Sequence, residues 1–260
     1  MWMKKLNYMY FKSEEFRNRY FRTLPTHEYS WIFDYQGQPM MGLHATMFAT
    51  SINTFSNEEQ RAEWMPKVQN YDILGTYAQT ELGHGSNVAG LETTATFDKE
   101  TDEFVLHTPT TTATKWWPGD LGRYANHAVV FAQLIIESDG HKNNYGVCPF
   151  IVQLRDLETH KHLSGIKSGD MGPKFGYLAK DNGWMQMTHV RIPRKQMLQR
   201  FITVDRSGDV SITGDIKILY STMILIRTII IANAKNALSQ TLLVALRYST
   251  VRRQFRNISG

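Results

Sequence analysis

A chain of 260 residues, 42% hydrophobic, 12% aromatic and 20% charged, can bury a substantial core, which excludes wholesale disorder. Its one cysteine, Cys148, excludes an internal disulfide framework and fits a reducing compartment. The net charge of +5 is compatible with anionic ligands, but the charges are scattered without long runs, as on an ordinary solvated surface.

The N-terminus, Met1-Trp2-Met3-Lys4-Lys5, lacks the apolar core of a secretory signal. Residues 14–20 and 43–52 read as helical. Ser56 or Asn57 can cap a helix answered by Glu59 or Gln60, and that helix is expected to run through Trp64 to Pro66. Residues 1–70 therefore form an N-terminal helical segment. From 71 to 205 the pattern changes to short β-branched and aromatic runs at 91–97, 103–108, 128–137 and 147–154. Turn clusters separate them: Asp98-Lys99-Glu100-Thr101-Asp102, Ser138-Asp139-Gly140 and Asp181-Asn182-Gly183. This spacing predicts a small antiparallel barrel or sandwich. Cys148 falls in one of its strands and reads as a buried, inert thiol. His160-Lys161-His162 lacks a third metal ligand and reads as a polar loop, and no Cys/His set has zinc-site spacing, so no metal is expected. Residues 206–260 hold a long helix over 216–254, capped by Thr213 or Asp215. It is apolar nearly all round at 223–232 and is expected to be buried on most sides. That stretch is too short for a membrane span and contains Arg227. Such a helix needs partner helices, so the polypeptide is expected to be incomplete or completed by another chain. The class is α+β: N-terminal helices, a central antiparallel β-barrel, then the first long helix of a bundle.

Three segments can carry chemistry. In Tyr77-Ala78-Gln79-Thr80-Glu81-Leu82-Gly83-His84-Gly85-Ser86-Asn87 a strand runs into a Gly-x-Gly turn. The Thr80 hydroxyl and nearby amides suit a planar polar ligand, and the glycines permit close backbone approach. Taken alone, the segment reads first as a plain strand and turn. In Lys115-Trp116-Trp117-Pro118-Gly119 adjacent tryptophans point to opposite faces, one into the core, the other toward solvent or a ligand. A barrel core ending in a turn is the structural alternative. In Arg247-Tyr248-Ser249-Thr250-Val251-Arg252-Arg253-Gln254-Phe255 the arginines suit a pyrophosphate, or are simply solvated at a helix end.

Together and in this order the segments resemble the peroxisomal-type acyl-CoA oxidase family. Gly90-Leu91-Glu92-Thr93-Thr94-Ala95-Thr96, Gly172-Pro173-Lys174-Phe175-Gly176-Tyr177, Asp181-Asn182-Gly183 and Arg191-Ile192-Pro193-Arg194 are similar to further motifs of that family. The match runs from about Met40 to Phe255 with nearly constant spacing, and the Lys115–Gly119 form resembles the oxidases more than the related dehydrogenases.

The resemblance implies FAD, a fatty acyl-CoA substrate, dioxygen, a trans-2-enoyl-CoA product with hydrogen peroxide, peroxisomal β-oxidation and a homodimer when complete. The chain ends in Asn257-Ile258-Ser259-Gly260, which is not a Ser-Lys-Leu address. Thr80 and Gly119 match flavin-contacting positions, and Arg252 and Gln254 match groups that hold FAD phosphate and adenine across a dimer interface. Ser86 falls where a small hydroxyl lies near substrate. The family's catalytic glutamate is expected beyond Gly260, and neither Glu81 nor Glu92 is expected to replace it. The chain alone is therefore expected to give no acyl-CoA oxidation and to hold FAD weakly. A non-catalytic FAD and acyl-CoA scaffold or partner subunit is the alternative, and a decayed protein a third reading. A nucleic-acid-binding barrel would need exposed aromatics on a basic face, whereas the aromatics here follow the oxidase motifs.

Overall fold

The computed structural model describes residues 43–138, 140–176, 178, 180–214 and 221–255. The helix expected at 14–20 and the cap expected at Asp215 lie outside them.

A π-helical turn, His44–Phe48, continues into α1 (Ala49–Phe55) and is followed by α2 (Glu58–Gln69). Asn57 caps α2 in a capping box: its side chain accepts from the Gln60 amide at 2.9 Å, and Gln60 Oε1 accepts the Asn57 amide at 3.2 Å. Ser56 instead closes α1. α2 also passes Pro66, where the sequence predicts its end, and the Pro66 carbonyl accepts the Asn70 amide. A proline in the last turn forfeits its own amide bond without blocking the three residues that follow.

Eleven strands follow among the described residues: β1 (Gly75–Ala78), β2 (Thr94–Asp98), β3 (Glu103–His107), β4 (Lys115–Trp116), β5 (His127–Ser138), β6 (His141–Gln153), β7 (Ile166–Asp170), β8 (Gly183–Met187), β9 (Val190–Pro193), β10 (Ile202–Val204) and β11 (Val210–Ile212). β5 is the spine. It pairs antiparallel with β6 along its whole length. On its other edge it pairs in parallel with β1 at 127–130 and then with β2 at 133–135. β3 and β9 extend the sheet from β2, and β4, β8 and β7 form a second, antiparallel sheet. The α+β class holds, with two parallel pairings that the turn pattern alone does not reveal.

β5 is buried on both faces, so its apolar run does not alternate with polar residues. Ala128, Val130, Ala132, Leu134 and Ile136 face the curled sheet's interior with Phe104, Phe150 and Met187. Val129 and Phe131 face the helices and pack with Phe48, Ile52, Phe55 and Ile151. Cys148 lies in the interior, where burial pushes its thiol up to about 12, so it is unreactive at neutral pH.

α3 (Ser221–Val251) differs from the expectation. The start expected at 216 lies outside the described residues, and the helix ends before Arg252. Ile224, Ile231, Leu238, Leu242, Val244 and Leu246 are exposed rather than buried. Among the described residues only Met223 of this helix joins a core cluster. The apolar residues stay uncovered because little else among the described residues lies against this helix. No helix is long and apolar enough to cross a membrane among the described residues.

Candidate functional site

The first two segments singled out in the sequence meet at one edge. β1 ends at Ala78, and Gln79-Thr80-Glu81 continues to a bridge between Glu81 and Lys115, the first residue of β4. The Trp116 amide donates to the Thr80 carbonyl at 3.0 Å. After β4, Trp117 takes a left-handed backbone (φ 82) and Asp120 does the same (φ 66), so Pro118-Gly119 sits between two strained residues. Four hydrogen bonds hold that turn. The Thr76 hydroxyl donates to the Gly119 carbonyl at 2.6 Å. The Asn182 side chain donates to the Trp117 carbonyl at 2.7 Å. The Trp117 amide donates to the Gly183 carbonyl, and the Gly183 amide to that of Pro118. Trp117 faces outward, 49% exposed.

Donors remain unused at this edge. Neither the hydroxyl nor the amide of half-buried Thr80, nor the amide of buried Gly119, makes a hydrogen bond among the described residues. Buried amides are nearly always paired, so the unpaired Gly119 amide, on the segment that bonds Thr80, is a donor open to an acceptor. These donors fit the polar edge of a planar ligand such as a flavin. The Gly119 glycine itself has a local cause, because a Cβ there would come within 2.7 Å of Leu43 Cδ1 and of Lys180 Cε. Gly83 packs equally closely on Thr112, whereas the space around Gly85 is open.

Ser86 is exposed in the loop after the Gly-x-Gly turn. That loop is tied down at one end by His84, whose Nε2 lies 2.9 Å from Glu92 Oε1. Hydrogen bonds from Thr110, His84 and Thr112 hold the Glu92 carboxyl down at about 2. Arg252 and Gln254 lie exposed just past α3, and no hydrogen bond joins them to the Thr80–Gly119 edge among the described residues. Arg252 bonds back to Tyr248, through its amide and through Nη1 to the phenol oxygen at 3.1 Å. His160 and His162 engage separate partners, the Arg123 carbonyl and the Ser168 hydroxyl.

The sequence does not reveal what lies beneath this edge. Lys115 is fully buried, and its ammonium donates to Glu81 Oε1 at 3.0 Å and to the carbonyls of Gln79 at 3.1 Å and Phe131 at 2.6 Å. All three ammonium protons are used. Glu81, also buried, accepts in addition from the Glu92 amide at 2.7 Å, the Thr93 amide at 3.0 Å and the Thr93 hydroxyl at 2.5 Å. Burial lowers Lys115 to about 8, with Glu81 opposing the shift. A second buried acid, Asp120, is raised by burial to about 7, and the Lys180 ammonium 2.6 Å away limits the rise.

The comparisons with known proteins agree with this layout. Residues 4–74 match the acyl-coenzyme A oxidase N-terminal model, 76–190 the acyl-CoA dehydrogenase middle domain, and 220–259 the acyl-CoA oxidase C-alpha1 domain. The chain is 52% identical over 223 residues to peroxisomal acyl-coenzyme A oxidase 1 of Arabidopsis thaliana, covering 84% of this chain and 33% of that protein. It is 45% identical over 214 residues to the Rattus norvegicus protein of the same name, covering 82% and 32%. Among solved structures, acyl-CoA oxidase 3 of Yarrowia lipolytica aligns with TM-score 0.85 at 38% identity, covering 100% of this chain and 38% of that one. Acyl-CoA oxidase-2 of Caenorhabditis elegans, bound with FAD, ascaroside-CoA and ATP, aligns with TM-score 0.82 at 42% identity, covering 98% and 37%. The chain thus spans about a third of the length of the curated relatives it matches. With all three domain models in order along its length and the Thr80 and Gly119 segments joined at one edge, this chain belongs to the acyl-CoA oxidase family.

Proposed function

We propose that this chain forms the flavin-side part of a peroxisomal, FAD-dependent acyl-CoA oxidase, which converts a fatty acyl-CoA to the trans-2-enoyl-CoA and hydrogen peroxide. The observation that carries the reading is the set of unpaired donors at Thr80 and Gly119 on one edge of the sheet. Held there, FAD would supply the two-electron acceptor for the substrate's hydride and the route for its reoxidation by dioxygen. Thr80 would hold the flavin's polar edge through its hydroxyl and amide, and Gly119 through its amide. Trp117, outward-facing beside them, would shield that edge from water. Ser86 would face the substrate from its exposed loop. Arg252 and Gln254 would reach the phosphate and adenine of FAD bound by a second copy. Glu81 is committed to Lys115 and Thr93, and Glu92 to His84, Thr110 and Thr112, so abstraction of the α proton is assigned to no carboxylate of this edge.

Titrating the chain with FAD and following flavin fluorescence tests the reading. Quenching that saturates, and that weakens by about ten-fold in Thr80→Val, is expected for the loss of one hydroxyl bond to a polar ring. Unquenched fluorescence at every flavin concentration would overturn it.

A further inference from the structure

Thr80 is the only residue between the two places where Lys115 grips its strand. The lysine holds the carbonyl of Gln79 on one side and the carboxylate of Glu81 on the other. Its third proton goes to the Phe131 carbonyl on β5, the central strand to which β1 is paired. Lys115 also immediately precedes Trp116, whose amide holds the Thr80 carbonyl, and the same short segment runs on to Gly119. One buried ammonium therefore fixes the spacing between the two groups that offer free donors.

We infer that Lys115 and Glu81 are positioning residues: their buried ion pair sets the Thr80 hydroxyl and the Gly119 amide at the separation a bound flavin requires. The inference rests on the proposed function above. Neither residue offers a free polar atom to a ligand, since every Lys115 proton and both Glu81 oxygens are engaged. Their effect on binding must pass through Thr80 and Gly119. A pair serving only the fold would be replaceable by a neutral pair of the same shape, because buried ion pairs contribute little net stability over well-packed neutral groups. A positioning pair would not be, because the Gln79 and Phe131 carbonyls lose their shared donor.

The experiment uses Lys115→Met, Glu81→Gln and the double variant, with Gln60→Ala, whose bonds go to Asn57, Lys195, Met197 and Gln199, as a destabilised control. Urea midpoints and FAD dissociation constants are measured for each. Lys115→Met strands a buried carboxylate and is expected to lose much of its stability. The double variant removes the stranded charge and is expected to regain part of the stability, the unpaired Gln79 and Phe131 carbonyls keeping it below wild type, yet to bind FAD about ten-fold or more weakly, with shifted flavin absorbance bands. Gln60→Ala is expected to lose stability but keep its FAD affinity within about two-fold. If affinity recovers together with stability in the double variant, the pair is merely structural and the inference falls while the flavin reading stands. If wild type binds no FAD, the flavin reading falls and takes the inference with it. Should Lys115→Met fail to fold, the double variant and Glu81→Gln still decide the question.

Discussion

Gly75 opens β1, the strand that leads to Thr80, and it does so against a wall. A Cβ built there would lie 2.1 Å from Phe48 Cδ1, 2.2 Å from Cγ and 2.3 Å from Cε1. Phe48 is fully buried beneath the sheet, so its ring has no solvent to move into. The Gly75 amide donates to His44 Nδ1 at 3.0 Å, so a retreating strand would also give up that bond. Overpacking of this kind costs about 1–3 kcal/mol, and a backbone that cannot yield puts Gly75→Ala at the upper end. The lower chain entropy of alanine in the unfolded state offsets only about 0.4–1 kcal/mol. A net loss of roughly 2 kcal/mol is expected, read as a lower urea midpoint at constant slope by tryptophan fluorescence and circular dichroism. Phe48→Ala alone should cost about 3–5 kcal/mol, as a cavity. The double variant should be less destabilised than the sum of the two, because each change relieves the other's fault. Gly75→Ala at wild-type stability, or strict additivity with Phe48→Ala, would refute the reasoning.

Gln60 does more than complete the α2 cap: its side chain also donates to the Lys195 and Met197 carbonyls and accepts the Gln199 amide. Gln60→Ala should therefore cost about 2–3 kcal/mol against about 1 kcal/mol for Asn57→Ala, measured by urea unfolding, and equal losses would count against the tertiary role. Two pH effects oppose one another. Burial lowers His44 and His127 to about 4, so the unfolded chain takes up their protons first and stability falls as pH drops from 6.5 toward 4. Asp120 keeps its proton to about 7 in the fold but loses it near 3.8 when unfolded, so its contribution declines as pH rises through that window. Asp120→Asn should remove the second slope, so that its urea midpoint climbs with pH more steeply than that of wild type between pH 4 and 6.5. Parallel curves would sink that assignment.

Where structure is local, the sequence came within a residue. Ser56 and Glu59 sit three apart, as do Asn57 and Gln60, the spacing a capping box needs, and the box forms on the second pair. The turn after β2 closes because the Asp98 side chain accepts from the amides of Glu100 and Thr101, an arrangement internal to that segment. The Tyr77–Asn87 and Lys115–Gly119 segments could be singled out because strand and turn residues stand next to each other. That Glu81 and Lys115 form one buried ion pair is a different matter. Thirty-four positions separate them, and their meeting depends on the bridge that lays β4 against the segment after β1, a pairing that no local pattern encodes. The α3 residues show the same limit from the other side. Their composition calls for burial, but burial is a relation between surfaces, and among the described residues little lies against them. The sequence alone decided the order of elements, their caps and the residue types of the site. Tertiary structure alone decided which charges are dry, which donors remain free and which apolar faces are covered, because desolvation depends on what the rest of the chain brings within a few ångströms.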